Sequence, residues 1–139
     1  MQSLTSKITK FSLLLASAAL LSGCVNPTKQ QHIALVGAWQ IISIDGRLID
    51  SSTASMQFSE QGTMSGNNGC NAINASYRPF KDHLNLSPIA STRMACAAES
   101  AADEQAFNSA ILQVEHFLVQ DNLLLLTDEQ DQTLISLRR

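Results

Sequence analysis

The sequence predicts an α+β fold, mostly antiparallel β, with about eight short strands in a barrel-like curled sheet and one packed helix. Three observations carry that expectation. Segments in which apolar and polar residues alternate recur between residues 38 and 137. Turn signals separate them at intervals of roughly 8–12 residues. One stretch alone, about 100–114, switches to a helical period.

The elements follow in order. Ala38 to Ile44 (AWQIISI) is rich in β-branched and aromatic residues and ends at Asp45-Gly46, a hairpin signal. Ala54, Met56 and Phe58 alternate with Ser55, Gln57 and Ser59, the period of a half-buried strand. Glu60-Gln61-Gly62 turns the chain, and Thr63 to Ser65 returns as the partner. Gly66-Asn67-Asn68-Gly69 reads as a turn or bulge, because Gly and Asn tolerate positive φ. Ile73, Ala75 and Tyr77 alternate again. Pro79 to Asp82 is expected to turn, Leu84 and Leu86 to form a short strand, and Ile89 to Thr92 another.

Ser100 and Asp103 have the spacing of a capping box. Ala106, Phe107, Ala110, Ile111 and Val114 then share one helical face, the face expected to lie on the sheet. Glu99, Asp103 and Glu104 fall near the first turn, where the helix dipole favours negative charge. Phe117 to Val119 and Leu123 to Thr127 flank the hairpin signal Gln120-Asp121-Asn122. Leu123 to Leu126 is apolar on both faces, which predicts a central strand covered on both sides. Thr133 to Leu137 is the last strand.

Composition narrows the function classes. At 139 residues the chain supports one domain and is too short for a TIM barrel. Its net charge of −3 argues against nucleic acid as a partner. Its 45% hydrophobic content suffices for a packed core.

The first 23 residues read as an export signal. Lys7 and Lys10 precede the uncharged run Phe11 to Leu21, which is too short for the ~20 apolar residues of a membrane-spanning helix. Leu21-Ser22-Gly23-Cys24 then resembles the bacterial lipobox. That resemblance implies a diacylglyceryl group on the Cys24 thiol, cleavage before it and acylation of the new amino terminus. In Gram-negative lipoproteins Asp after the cysteine favours the inner membrane. Val25 therefore implies the outer membrane, facing the periplasm. Cleavage would remove Lys7 and Lys10, leaving 7 basic residues against 12 acidic ones, a net charge of −5. The expected organisation is signal peptide 1–23, lipidated tether 24–34 and folded domain 35–139.

With Cys24 taken by lipid, Cys70 and Cys96 remain as a pair. An oxidising compartment makes a disulfide the default. Free thiols stay open as an alternative. So does metal or redox chemistry, although Cys-x-x-Cys is absent and His32, His83 and His116 are scattered along the chain. No metal or cofactor is expected. The sequence holds no Gly-x-Ser-x-Gly, no His-Glu-x-x-His and no phosphate loop. No catalytic residue is therefore assigned, and a periplasmic enzyme using His83 or Arg93 is the weakest reading.

Gly69-Cys70-Asn71, Tyr77, Thr92-Arg93-Met94-Ala95-Cys96, Phe107 in an acidic-led helix and Leu124-x-Leu126 resemble the META domain, as found in heat-inducible HslJ-type lipoproteins. Leu35-Val36-Gly37-Ala38-Trp39 resembles the opening of that domain. Ala75, where the family often has Gly, and Pro79-Phe80-Lys81-Asp82 depart from its pattern. The resemblance implies a mostly antiparallel β domain with one helix, and it fits a Cys70–Cys96 bond. It also implies a role in heat response or novobiocin resistance, with no established enzyme mechanism. By motif match it singles out Asn71 and Arg93. They would form either a polar site beside the disulfide or a structural pair, Asn71 in a positive-φ turn and Arg93 on a carbonyl or carboxylate. The leading function is a lipid-anchored envelope protein that binds a periplasmic protein or envelope component. The alternative is a small-ligand binder using the interior or mouth of the barrel.

Overall fold

The computed structural model describes residues 26–49 and 53–139. Residues 1–23, read from the sequence as an export signal, and Cys24 lie outside the described residues. Among those described, no helix is long and apolar enough to cross a membrane.

Helix α1 (Pro27–Leu35) opens the described chain. Strands β1 (Gly37–Ile44), β2 (Arg47–Leu48), β3 (Ser55–Phe58), β4 (Thr63–Asn67), β5 (Ala72–Phe80), β6 (His83–Leu86) and β7 (Ala90–Ser91) follow. Helix α2 (Ala98–Ile111) precedes β8 (His116–Gln120), β9 (Leu123–Thr127) and β10 (Thr133–Arg138). Eight strands close a ring in the order β1-β3-β4-β5-β6-β8-β9-β10, with β10 pairing back onto β1. Every pairing is antiparallel. The two-residue strands β2 and β7 attach to β1 and β5. This is the α+β, mostly β barrel that the alternating segments predicted.

Alternation decides what lies inside. Ile73, Ala75 and Tyr77 of β5 are buried while Ala72, Asn74, Ser76 and Arg78 face out. Strand β1 buries Trp39 and Ile41, then shifts register between Ile41 and Ser43 and buries Ile44. The extra residue bends the strand and lets β1 pair with β3 along its first half and β10 along its second. Phe58, Met56, Met64, Leu124, Leu126, Ile135 and Leu137 complete the interior, each at most 1% exposed. Helix α2 adds Phe107, Ala110 and Ile111 to this core, the face its period predicted.

Four local expectations are corrected. Residues 27–34 of the stretch read as tether form a helix together with Leu35. Asn26 caps it by accepting the Thr28 N–H at 3.1 Å, and Pro27 takes a position where its missing N–H costs nothing. The Gln31 side chain then exchanges two hydrogen bonds with the backbone of Val119 (3.1 and 2.9 Å), and Leu35 is wholly buried. Second, β5 runs through Pro79 to Phe80, and the turn is only Lys81-Asp82. Pro79 lies beyond the last β4–β5 pair, Thr63↔Ser76, so its missing donor leaves no ladder bond unmade. Third, α2 starts at Ala98 after Ala97, which makes no side-chain cap. The Asp103 carboxylate instead accepts from Arg47 Nη2 at 2.8 Å. Fourth, β9 is flanked by β8 and β10 but buries only Leu124 and Leu126 completely, while Leu123 and Leu125 are half-buried on its outer face.

Two positions set strand spacing and ionisation. A Cβ at Gly66 would lie 2.0 Å from the Ser55 carbonyl oxygen across the β3–β4 ladder, so only glycine fits there. Tyr77, the single tyrosine, sits edge-on to Phe58 with centroids 5.0 Å apart and donates its phenol O–H to the Ser59 carbonyl at 2.6 Å. Burial first, and the Glu60 charge second, raise its pKa above the ordinary 10.0.

Gly66→Ala should cost about 3 kcal/mol, because the clash is with backbone that cannot rotate away. Urea unfolding would measure it, and a loss under ~1 kcal/mol would refute the close approach. For Tyr77, the unfolded chain should ionise first as pH rises past 10. Stability then falls across the window above 10 until the folded phenol also ionises. Phenolate absorbance reports this residue alone. It should rise at higher pH in the folded chain than in denaturant.

Candidate functional site

The two cysteine-bearing signatures meet where the β4–β5 turn touches the start of α2. Asn67 and Asn68 shape the turn with their own side chains. Asn67 Oδ1 accepts from the Gly69 N–H at 2.8 Å, and Asn68 Oδ1 accepts from the N–H groups of Cys70 (3.3 Å) and Asn71 (2.8 Å). Asn68 is itself wholly buried and donates to Asn108 Oδ1 on the helix at 3.4 Å. Gly69 takes φ +104°, and a Cβ there would come within 3.1 Å of Asp103 Cβ. Lack of a side chain therefore lets the turn lie directly on α2.

Cys70 and Cys96 form a disulfide with Cα atoms 5.9 Å apart. Beside it stands Asn71, only 2% exposed. Its Oδ1 accepts from Thr92 Oγ1 at 2.9 Å and from the Met94 N–H at 2.8 Å. Its Nδ2 donates to Glu104 Oε1 at 2.9 Å and lies 3.7 Å from Cys96 Sγ. Three segments converge on this one amide: the turn, the strand-to-helix connection and α2. The Glu104 carboxylate and both sulfurs are close enough to suggest a metal site, but sulfurs joined to each other offer no thiolate.

Asn71 and Arg93, singled out together by motif, are not brought together. Arg93 is exposed and makes no hydrogen bond or ion pair with a described residue. Nor does Asn71 occupy a positive-φ position; Gly69 does. Asn71 is a structural hub whose amide is fully used. Sequence reading missed Asn68 and Glu104 as its supports. It also missed that His83 and His116 are direct cross-strand neighbours. Only Asn68, inside the GNNGCN run, carried a local signal. His32 packs at a tilt against Phe117, with ring centroids 6.1 Å apart, and its Nε2 lies 2.9 Å from the Lys81 carbonyl oxygen.

A closed eight-stranded barrel, with a helix laid against it and a disulfide tying the approach to that helix to the β4–β5 turn, defines the class of this protein. The META domain profile matches residues 32–139, and the chain belongs to the META domain family. Its fold is similar to a protein from Burkholderia xenovorans solved by NMR, with a TM-score of 0.63, 19% identity and coverage of 100% of this chain and 97% of that one. A second NMR structure matches with a TM-score of 0.59 and 23% identity, over 81% of this chain and 93% of the other. A DUF4847-family protein from Bacteroides vulgatus ATCC 8482 matches at 0.54 and 16% identity, over 77% of this chain and 94% of its own. No curated protein matches the chain.

Cys70→Ser should lower stability by roughly 3.5 kcal/mol in the chain-entropy treatment of a loop this long, and reductant should do the same to the wild type. Asn71→Ala should cost about 3 kcal/mol, since it strands the Met94 N–H and the Glu104 carboxylate. Arg93→Ala should stay within about 0.5 kcal/mol of wild type. Thermal and urea unfolding of the three variants checks the ranking. A large loss in Arg93→Ala would overturn the assignment of structural weight to Asn71 alone.

Proposed function

We propose that this chain is a lipid-anchored cell-envelope protein of the HslJ type. In this reading it acts by binding, catalyses no reaction, and serves envelope stress or resistance to novobiocin-type antibiotics. The observation that carries this is Leu21-Ser22-Gly23-Cys24 immediately ahead of the barrel. Helix α1 begins at Pro27, three residues past the acceptor cysteine. An anchor there holds the barrel close to the lipid headgroups, and two or more acyl chains make such attachment stable. Val25 in place of Asp supports the outer membrane, periplasmic face, by resemblance to Gram-negative lipoproteins. The barrel supports binding through its exterior, since its inward positions carry large side chains and the Asn71 amide is used internally. The partner is a periplasmic protein or envelope component.

A small-ligand role has one specific observation in its favour. A cleft of about 350 Å³ lies outside the barrel, lined by His32, Ile33, Val36, Glu60 and Tyr77 among others. A ligand would lie between α1 and the β3–β4 turn rather than in the barrel interior.

The wild-type chain should fractionate with membranes and carry acyl mass on Cys24, and Cys24→Ser should move it to the soluble fraction. Loss of the protein should increase novobiocin sensitivity, restored by wild type and not by Cys24→Ser. A bare Cys24 in membrane-purified protein would refute the anchor. Unchanged novobiocin sensitivity would refute the resistance role.

A further inference from the structure

Strands β6 and β8 meet through one registered pair, His83↔His116. The Leu84 N–H donates to the Glu115 carbonyl and the Phe117 N–H to the Asp82 carbonyl, both at 2.8 Å. Those two bonds flank the histidines and make them a non-hydrogen-bonded antiparallel pair, the kind in which side chains approach most closely. Leu84 and Phe117 point into the core, so alternation directs both histidines outward. Their ring centroids are 4.2 Å apart. Asp82, the second residue of the Lys81-Asp82 turn, brings Oδ2 to 3.4 Å from His116 Nδ1. That approach lacks hydrogen-bond geometry. The nitrogen is shut off from solvent and has no hydrogen-bond partner among the described residues.

The geometry points to a site for a divalent transition-metal ion of the zinc class, held by Asp82, His83 and His116 on the outside of the β6–β8 seam. One donor atom from each residue lies within 4.8 Å of the others. Ligands at 2.0–2.2 Å from zinc stand roughly 3.4 Å from one another. Rotation of two side chains closes the difference, because the Asp82 side chain is 68% exposed and His83 is exposed as well. Two imidazoles and one carboxylate suit Zn²⁺ or Cu²⁺ rather than Ca²⁺ or Mg²⁺, which prefer all-oxygen shells. The orphaned His116 nitrogen gains a partner. Open coordination positions face a cleft of about 330 Å³ that Thr127 and Asp131 also line, where water can complete the shell. Such an ion would link the β5–β6 hairpin to β8 across the most lightly paired junction of the ring. The inference is independent of the lipid anchor.

The test is a calorimetric titration of the full-length chain with ZnCl₂, the protein being expressed without a histidine tag, held in detergent and first stripped with EDTA. One zinc ion per chain is expected. Affinity should fall at least about tenfold in His83→Gln and in His116→Gln. Zinc should also raise the melting temperature of the wild type but not of His83→Gln, and should slow amide exchange at Leu84 and Phe117. His83→Gln alters an exposed side chain, and its melting in EDTA should match wild type. Asp82→Asn, in the exposed turn, gives an independent variant with the same expected loss. Absence of zinc binding by the wild type would overturn the site. Binding of equal affinity in the His83→Gln and Asp82→Asn chains would overturn it too, by placing the ion elsewhere.

Discussion

The arrangement of the molecule rests on a single buried amide. The ring is built in two runs, β1 to β6 before α2 and β8 to β10 after it, and only α2 with its approach connects them along the chain. Asn71 fixes where that connection starts. It accepts from two groups on the approach, Thr92 and Met94, and donates to Glu104 on the helix itself. A buried amide with unmet donors or acceptors is costly, so these bonds are enforced rather than optional. The disulfide acts at the same point as a covalent tether, but it does not orient the helix. Orientation comes from Asn71, from Gly69 lying against Asp103 and from the Arg47–Asp103 pair.

The opposite end of the core is organised by Trp39. Its indole N–H donates to the Leu35 carbonyl at 2.9 Å, which ties the end of α1 to β1. The Arg139 guanidinium lies over its ring at 3.9 Å, bonds the Ala34 carbonyl and completes the seal. The barrel is thus a filled cylinder with a helix fixed at each end of its core. The Gly69-Cys70-Asn71 signature contributes to that architecture through the bonds of Asn71.

What was legible in the sequence was local. Period-two alternation in Ile73, Ala75 and Tyr77 named the inward face of β5, because a strand buries every second residue whatever its neighbours are. Asp45-Gly46 marked its hairpin because both residues adopt positive φ. The helical stripe of Phe107, Ala110 and Ile111 was read for the same kind of reason. What was missed depends on distant residues. Helix α1 has no apolar stripe to give it away and is held by contacts to Lys81 and Val119. Ser100 and Asp103 have capping-box spacing, yet Arg47 draws Asp103 away. His83 and His116 became neighbours only through the register of two strands joined by α2. Of the motif pair, Asn71 is explained by its bonds, and nothing in the structure explains Arg93.

Closing the sheet has a consequence for behaviour in a crowd. An open sheet displays a row of unpaired backbone groups that a second molecule can extend, the usual first step toward aggregates. Among the described residues each strand of the ring has a neighbour on both sides, and the open margins are short: the two-residue ribbons at Arg47–Leu48 and Ala90–Ser91, and the β6–β8 seam with its one registered pair. A second molecule is thus offered no long row of backbone groups to extend, and crowding alone gives two such sheets little means of joining.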